Sequence, residues 1–110
     1  MSSRKPRITL LYFNGCPHWH LAEQRLGTAL AEIGESPDLI ERRRITTQRE
    51  AEEVGFRGSP TIQLNGRDPF EHEAGRIGIA CRIYGTAVGR EGAPALVEIV
   101  RALEEVQSRG

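Results

Sequence analysis

Apolar and polar residues along this chain fall into short blocks whose spacing alternates between that of a strand and that of a helix. Residues 7–13, RITLLYF, are a compact apolar run that ends at the turn-prone pair Asn14-Gly15, which predicts a buried strand. Apolar residues then recur at helical spacing, and this stretch begins with Pro17 and stops at Gly34. Because proline suits the start of a helix and glycine its end, the pattern predicts an amphipathic helix between them.

A charged strand and a short helix are predicted next. Residues 39–46 have the composition of a strand, but the charged run at 41–44 could not lie between two covered neighbours. Such charge suits the edge of a sheet, where it blocks unwanted strand pairing. Binding of a phosphate or an acidic partner is the alternative use of these arginines. Thr47 and Glu50 then form a T-x-x-E capping box, and Gly55 ends the helix that the box opens.

The order of the remaining elements indicates the fold class. The rest of the chain is predicted to contain, in order, a strand at Thr61–Leu64, an inserted loop at 67–78, a strand at 79–84, a loop at 85–93 and a helix from Pro94. The resulting order is β-α-β-α-β-β-α, and a right-handed crossover makes the first two strands parallel neighbours. The sequence therefore predicts an α/β fold with a four-stranded mixed sheet flanked by three helices.

Composition and charge restrict the class of protein. The chain has 110 residues, of which 38% are hydrophobic and 27% charged, as expected for one domain spanning residues 1–110 with a flexible tail at 1–6. Basic and acidic residues number 15 each, so we expect no nucleic-acid or membrane partner. No apolar run is long enough for a secretion signal or a membrane span, which favours a cytoplasmic protein. In that compartment the two cysteines are more often catalytic, metal-binding or buried than structural.

Cys16 lies between the first predicted strand and the first predicted helix. The amino end of a helix favours a negatively charged sulfur, and the thiolate is the form that attacks disulfides or binds soft metals. We therefore expect a reactive, partly exposed thiol, with a small buried turn residue as the alternative. His18 could stabilise the thiolate when protonated, or be a solvated surface histidine. Cys16 and His20 have a spacing that suits a metal, but two ligands make a poor site, so no metal or cofactor is expected.

Two segments resemble the thioredoxin-like superfamily. The junction FNGCPH, residues 13–18, is similar to the active-site turn of thioredoxins, whose pattern is C-x-x-C. Residues 51–66, AEEVGFRGSPTIQLNG, resemble the thioredoxin segment that runs through the cis-proline into the third strand and its turn. The C-P-x-W motif near the start and the Cys-Arg-x-Tyr segment near the end also resemble a group of small thioredoxin-like proteins sometimes labelled alkylmercury lyase-like.

This resemblance implies a thioredoxin-like fold with strand order 2-1-3-4 and a cis Ser59-Pro60 peptide bond. It also implies a catalytic Cys16 at the active-site turn. The substrate, a thiol or a disulfide, is expected to bind to the residues beside it: Pro17, His18, Ser59 and Pro60.

The chain departs from the family at the position of the second motif cysteine, which is Trp19. The internal disulfide of the ordinary thioredoxin cycle cannot form there. Trp19 instead continues the apolar stripe of the first helix, which predicts a buried core anchor.

Cys81 alternates with Ile79 and Ile83, which is typical of a sheet residue packed under a helix. If residues 79–84 pair antiparallel with the preceding strand, Cys81 lies three residues, about 10 Å, from the active-site end. A disulfide needs Cα atoms within about 7 Å. Pairing with Cys16 is therefore disfavoured unless the inserted loop shifts the register or the strand bends.

The favoured hypothesis is a monothiol thiol-disulfide oxidoreductase, in which Cys16 attacks a disulfide and an external thiol such as glutathione resolves the intermediate. Glutathione or a protein is the expected partner. One alternative is a non-catalytic thioredoxin-fold binding module. Another is soft-metal or organomercurial chemistry by Cys16 with a catalytic Cys81, which requires the two sulfurs to meet.

Overall fold

The computed structural model describes residues 6–71 and 75–109. Apart from the buried Pro6, the predicted tail at 1–6 lies outside the described residues, as do residues 72–74 of the predicted inserted loop. In chain order, the elements of the described residues are β1 (Ile8–Tyr12), α1 (Trp19–Glu32), β2 (Ile40–Arg44), α2 (Gln48–Val54), β3 (Arg57–Ser59), β4 (Thr61–Leu64), β5 (Gly78–Cys81), β6 (Tyr84–Thr86), β7 (Gly89–Glu91) and α3 (Leu96–Arg109), with a 3-10 turn at Pro37–Leu39. The described residues thus form an α/β structure with three helices and a mixed sheet, as predicted.

The central sheet of the described residues has three strands in the order β2-β1-β4. β1 and β2 pair in parallel, as the crossover through α1 predicts, and β4 pairs antiparallel with β1. β2 lies at the edge of the sheet, where Ile40 is buried and residues 41–44 are exposed. The edge-strand prediction is confirmed, and Arg43 of the charged run forms an ion pair with Glu50 of the same chain.

Side chains on alternate positions of β1 belong to two different core clusters. Ile8 and Leu10 pack with apolar residues of α1, α3 and β4. Leu11 packs instead with Ala51 of α2 and with Phe56. The strand that leads to Cys16 is therefore covered on both faces, which fixes the position of the turn that follows it.

The helix ends largely follow their sequence signals. α1 begins at Trp19, two residues later than expected, and the left-handed Gly34 follows its last turn. The Thr47 hydroxyl accepts the Glu50 N–H at 3.1 Å, which confirms half of the capping box. The Glu50 carboxylate accepts from the Thr46 N–H rather than from Thr47, and this bond holds the pKa of Glu50 below its usual value.

The C-terminal part of the predicted sheet is organised differently. Residues 79–84 do not form a fourth strand beside β4; instead β5 pairs in parallel with β3. Residues 84–91, predicted as the end of a strand and a loop, contain the β6–β7 hairpin. β5 ends at Cys81, and the buried side chain of the next residue, Arg82, binds Asp68 and the Phe70 carbonyl.

Candidate redox site

The Ser59-Pro60 peptide bond is cis, as the resemblance implied, and it lies between β3 and β4. Ser59 is buried, and its hydroxyl accepts a hydrogen bond from the Phe13 N–H at 3.3 Å. The Tyr84 hydroxyl donates to the Pro60 carbonyl. These two bonds tie the cis-proline segment to the loop after β1 and to the start of β6.

Cys16 and Cys81 form a disulfide, with their Cα atoms 5.7 Å apart. The expectation that their pairing is disfavoured is therefore wrong. It assumed an antiparallel register with β4, whereas β5 pairs in parallel with β3 and Cys81 lies opposite Ser59. The Arg82 N–H donates to the Ser59 carbonyl at 2.9 Å, which supports this register. Cys81 therefore lies at the cis-proline end of the β3–β5 pair, beside the turn that carries Cys16.

Gly58 permits the close approach of β5 to β3. Its φ is +105°, a conformation that disfavours a side chain. A Cβ at this position would also lie 3.0 Å from the Cβ of Arg82 and 3.1 Å from the Ala80 carbonyl oxygen. This glycine is part of the segment that carries the family resemblance, but its role in admitting the second cysteine was not predicted.

The two cysteines differ in their exposure to solvent. Cys16 is 0% exposed, whereas Cys81 is exposed. The expectation of a partly exposed Cys16 is corrected, because the turn between β1 and α1 is joined by the disulfide to β5. Cys81 is therefore the exposed residue of the disulfide.

Arg82 fixes the chain directly after Cys81, a role that the sequence did not predict. Its guanidinium donates to the Asp68 carboxylate at 2.7 Å and to the Phe70 carbonyl at 2.7 Å, and it lies 4.5 Å from the centre of the Tyr84 ring. Asp68, on the loop after β4, is fully engaged in this buried ion pair. The sequence signal that could have indicated this role is the single charge of Arg82 inside the apolar, alternating segment 79–84.

The other motif residues lie on the surface of this region. Pro17 and His18 are exposed, and they adjoin the site through their place in the chain directly after Cys16. A Cβ at Gly92 would overlap the His18 ring, so this glycine lets the loop before α3 pack against the turn.

Trp19 is half-buried rather than fully buried as predicted. Its ring stacks on Tyr12, with 4.3 Å between the ring centres, and contacts His20.

Within the described residues, no three His, Cys, Asp or Glu side chains are grouped as metal ligands.

A cleft of about 600 Å³ adjoins the exposed Cys81. One wall is β5 with the residues on either side of it, and Gln48 and Arg57 contribute from α2 and β3. Arg90 of β7 also lines the cleft, so the β6–β7 hairpin contributes to its shape. The disulfide is thus accessible from a concave surface.

Arg25 of α1 connects this hairpin to the rest of the protein. Its guanidinium donates to the Ala93 and Pro94 carbonyls and to the Glu91 carboxylate at 3.1 Å. The bond from Arg25, together with one from Thr86, holds the pKa of Glu91 below its usual value. These contacts hold β7, and with it Arg90, against α1.

Neither protein-family models nor searches of curated proteins and of solved structures gave a match to this chain. Among the described residues, no helix is both long enough and apolar enough to cross a membrane.

Proposed function

We propose that this chain is a thioredoxin-like thiol-disulfide oxidoreductase in which Cys16 and Cys81 are the redox-active pair. The observation that carries the proposal is a disulfide between a buried sulfur before α1 and an exposed sulfur beside a cleft. Because the two cysteines can pair with each other, the cycle does not need the external resolving thiol that the sequence alone suggested.

The arrangement around the disulfide supports the thioredoxin-like part of the proposal. Parallel β1 and β2 are joined through α1, and β4 follows a cis-proline and pairs antiparallel with β1. Cys16 occupies the turn from β1 to α1. In thioredoxin-like proteins the backbone before the cis-proline faces the reactive thiol, and here Ser59 lies opposite Cys81.

The difference in exposure assigns separate roles to the two sulfurs. Cys81 is exposed and lines the cleft, whereas Cys16 is fully buried, so an external thiolate would approach the disulfide at Cys81. The rate of exchange depends on which sulfur is accessible and on how well the other sulfur leaves. Cys16 precedes the first turn of α1, the end of a helix that favours a negative sulfur. Cys81 is therefore the sulfur that bonds to the substrate, and Cys16 is the sulfur that leaves or resolves.

The cycle balances without a further cofactor. In the reduced protein, the Cys81 thiolate attacks a substrate disulfide; one substrate thiol leaves and takes up a proton. The Cys16 thiolate then attacks the Cys81 sulfur of the mixed disulfide, which releases the second substrate thiol. The protein has given two electrons and holds the Cys16–Cys81 disulfide. Two external thiols return it to the dithiol and become a disulfide themselves.

The test counts thiols released when reduced protein meets one equivalent of a glutathione mixed disulfide in the absence of free thiol. Wild type should release both halves of the substrate. Cys16→Ser should release one half and retain the other on Cys81, as read by mass spectrometry. Cys81→Ser should release neither at a comparable rate, and the double variant is the control.

An adduct on Cys16 in the Cys81→Ser variant, formed at the wild-type rate, would favour the monothiol mechanism instead. If wild type releases no thiol and catalyses no reduction when glutathione is supplied in excess, the oxidoreductase proposal fails. A non-catalytic binding module would then be favoured.

Soft-metal chemistry is a second candidate, because the two sulfurs are close enough to bond. Two thiolates in the reduced protein suit a soft ion such as Cu(I). The candidate predicts that the reduced chain binds one Cu(I) and that either Cys→Ser substitution abolishes binding. Metal binding without release of thiols in the preceding assay would favour this function over the first.

A further inference from the structure

We infer that the cleft beside Cys81 selects small thiols that carry carboxylates, with Arg76 and Arg90 as specificity-determining residues. The inference rests on the proposed function and adds the chemical class of the substrate. A tripeptide thiol with two carboxylates, such as glutathione, is the probe that fits this class.

Arginine is the one charged residue type among the described residues that line the cleft: Arg57, Arg76, Arg82 and Arg90. Arg82 is committed to its buried ion pair with Asp68, and Arg57 lies 3.7 Å from the Glu71 carboxylate. Arg76 and Arg90 are exposed, and neither forms an ion pair within the described part of the chain. Their charge is available to a ligand.

This positive charge is a local feature of the cleft. The chain as a whole has equal numbers of basic and acidic residues, 15 of each. A general attraction for anions is therefore not expected, whereas a cleft lined by one sign of charge raises the local concentration of ligands of the opposite sign. Guanidinium groups bind carboxylates with two parallel hydrogen bonds, which gives orientation as well as affinity.

Three further observations favour a small thiol as the ligand. The exposed Cys81 lines the same cleft as the two arginines, so a ligand held there would place a sulfur near the disulfide. The cleft volume of about 600 Å³ falls in the range of small-molecule sites. Ile79 and Ile83, on either side of Cys81, are 38% and 44% exposed and offer apolar contact to the body of such a ligand.

The step that this site would favour is the reduction of the protein disulfide. The ligand thiolate attacks the Cys81 sulfur, the Cys16–Cys81 bond breaks, and Cys16 leaves as a thiolate that takes up a proton from solvent. A second ligand thiolate attacks the ligand sulfur of the mixed disulfide, the bond to Cys81 breaks, and Cys81 leaves as a thiolate that takes up a proton. The products are the disulfide of the ligand and the protein dithiol, so two electrons pass from two ligand molecules to the protein.

The experiment measures the rate at which the oxidised wild-type protein is reduced by glutathione and by glutathione diethyl ester. The two probes share one peptide, but the carboxylates of the ester are masked, and rates are compared at equal thiolate concentration. An exposed arginine–carboxylate pair changes a rate or affinity by up to about fivefold. Because two such pairs can form, we expect glutathione to react about tenfold faster than its diethyl ester. Arg76→Gln with Arg90→Gln should remove most of this preference. Arg101→Gln, which removes the same charge from α3, should keep it.

Salt provides a second measurement that needs no variant. At about 1 M salt the Debye length is about 3 Å, so the preference of wild type should fall towards equal rates. Equal rates for the two probes at low salt, or a preference that survives loss of both arginines, would overturn the inference.

The experiment follows a stoichiometric reaction of the oxidised protein, so its result is separate from turnover. Turnover with equal rates for the two probes refutes the inference alone, whereas a preference without turnover refutes the proposed function alone.

Discussion

Arg82 is the side chain that holds Cys81 in place. It is 4% exposed, and its guanidinium binds Asp68, the Phe70 carbonyl and the face of the Tyr84 ring. Within the described residues its Nε has no hydrogen-bond partner. Because a buried charge depends on its partner, the ion pair couples the loop after β4 to the residue that follows Cys81.

Asp68→Asn should therefore destabilise the protein strongly. It leaves the Arg82 charge buried without a counter-charge, and we expect the free energy of unfolding to fall by about 3–5 kcal/mol. Urea unfolding of the reduced protein measures this without the contribution of the disulfide. Glu98→Gln, which breaks the exposed pair with Arg101, is the control and should cost no more than about 1 kcal/mol. An equally small loss for Asp68→Asn would contradict this account of Arg82.

At the scale of elements, the position of β5 against β3 decides whether the two cysteines meet. The pairing is short, its register shifts between Arg57 and Ser59, and the Gly78 N–H and the Arg82 N–H bond to main-chain carbonyls on either side of the shift. Gly58 lies between the two paired residues, and a Cβ there would lie 3.1 Å from the Ala80 carbonyl oxygen. The disulfide therefore depends on a backbone contact that any side chain at position 58 would obstruct.

Gly58→Ala should shift the equilibrium between disulfide and dithiol towards the dithiol. Both a positive φ and the contact with Ala80 oppose a methyl group at this position. Gly66→Ala is the matched control, since its φ is +82° but nothing lies within 4 Å of the added Cβ. The fraction of disulfide at fixed ratios of reduced to oxidised glutathione, read after alkylation, measures the effect. An equal shift in both variants would show that backbone strain alone, and not the approach of β5, is responsible.

At the scale of the whole molecule, β1, α1, β2, α2 and β4 could be predicted because each has a local signal, whereas the short β3 and the 3-10 turn at Pro37–Leu39 were not predicted. The apolar run of β1, the charged edge of β2 and the capping box before α2 are patterns within a few residues. The segment around the cis-proline was identified through its resemblance to thioredoxins, since propensity alone does not predict a cis bond. The signals that sufficed are thus local in sequence.

The placement of Cys81 could not be predicted in the same way. The parallel pairing of β5 with β3 joins segments about twenty residues apart, and it is held by the ion pair of Arg82 with Asp68, which are separated by 14 residues. Such contacts are tertiary, and the alternation of Cys81 with Ile79 and Ile83 is equally compatible with an ordinary strand. The first cysteine of the site was therefore predictable from the sequence, and its pairing with the second was not.

The central claim is that Cys16 and Cys81 cycle together between a dithiol and a disulfide. The most direct test is rapid acid quenching of reduced wild-type protein during its reaction with a glutathione mixed disulfide, followed by alkylation and mass spectrometry of each cysteine. We predict that an adduct appears first on Cys81 and is replaced by the Cys16–Cys81 disulfide at least as fast as the substrate is turned over. A glutathione adduct that persists on Cys16 while Cys81 remains a free thiol throughout turnover would contradict the claim.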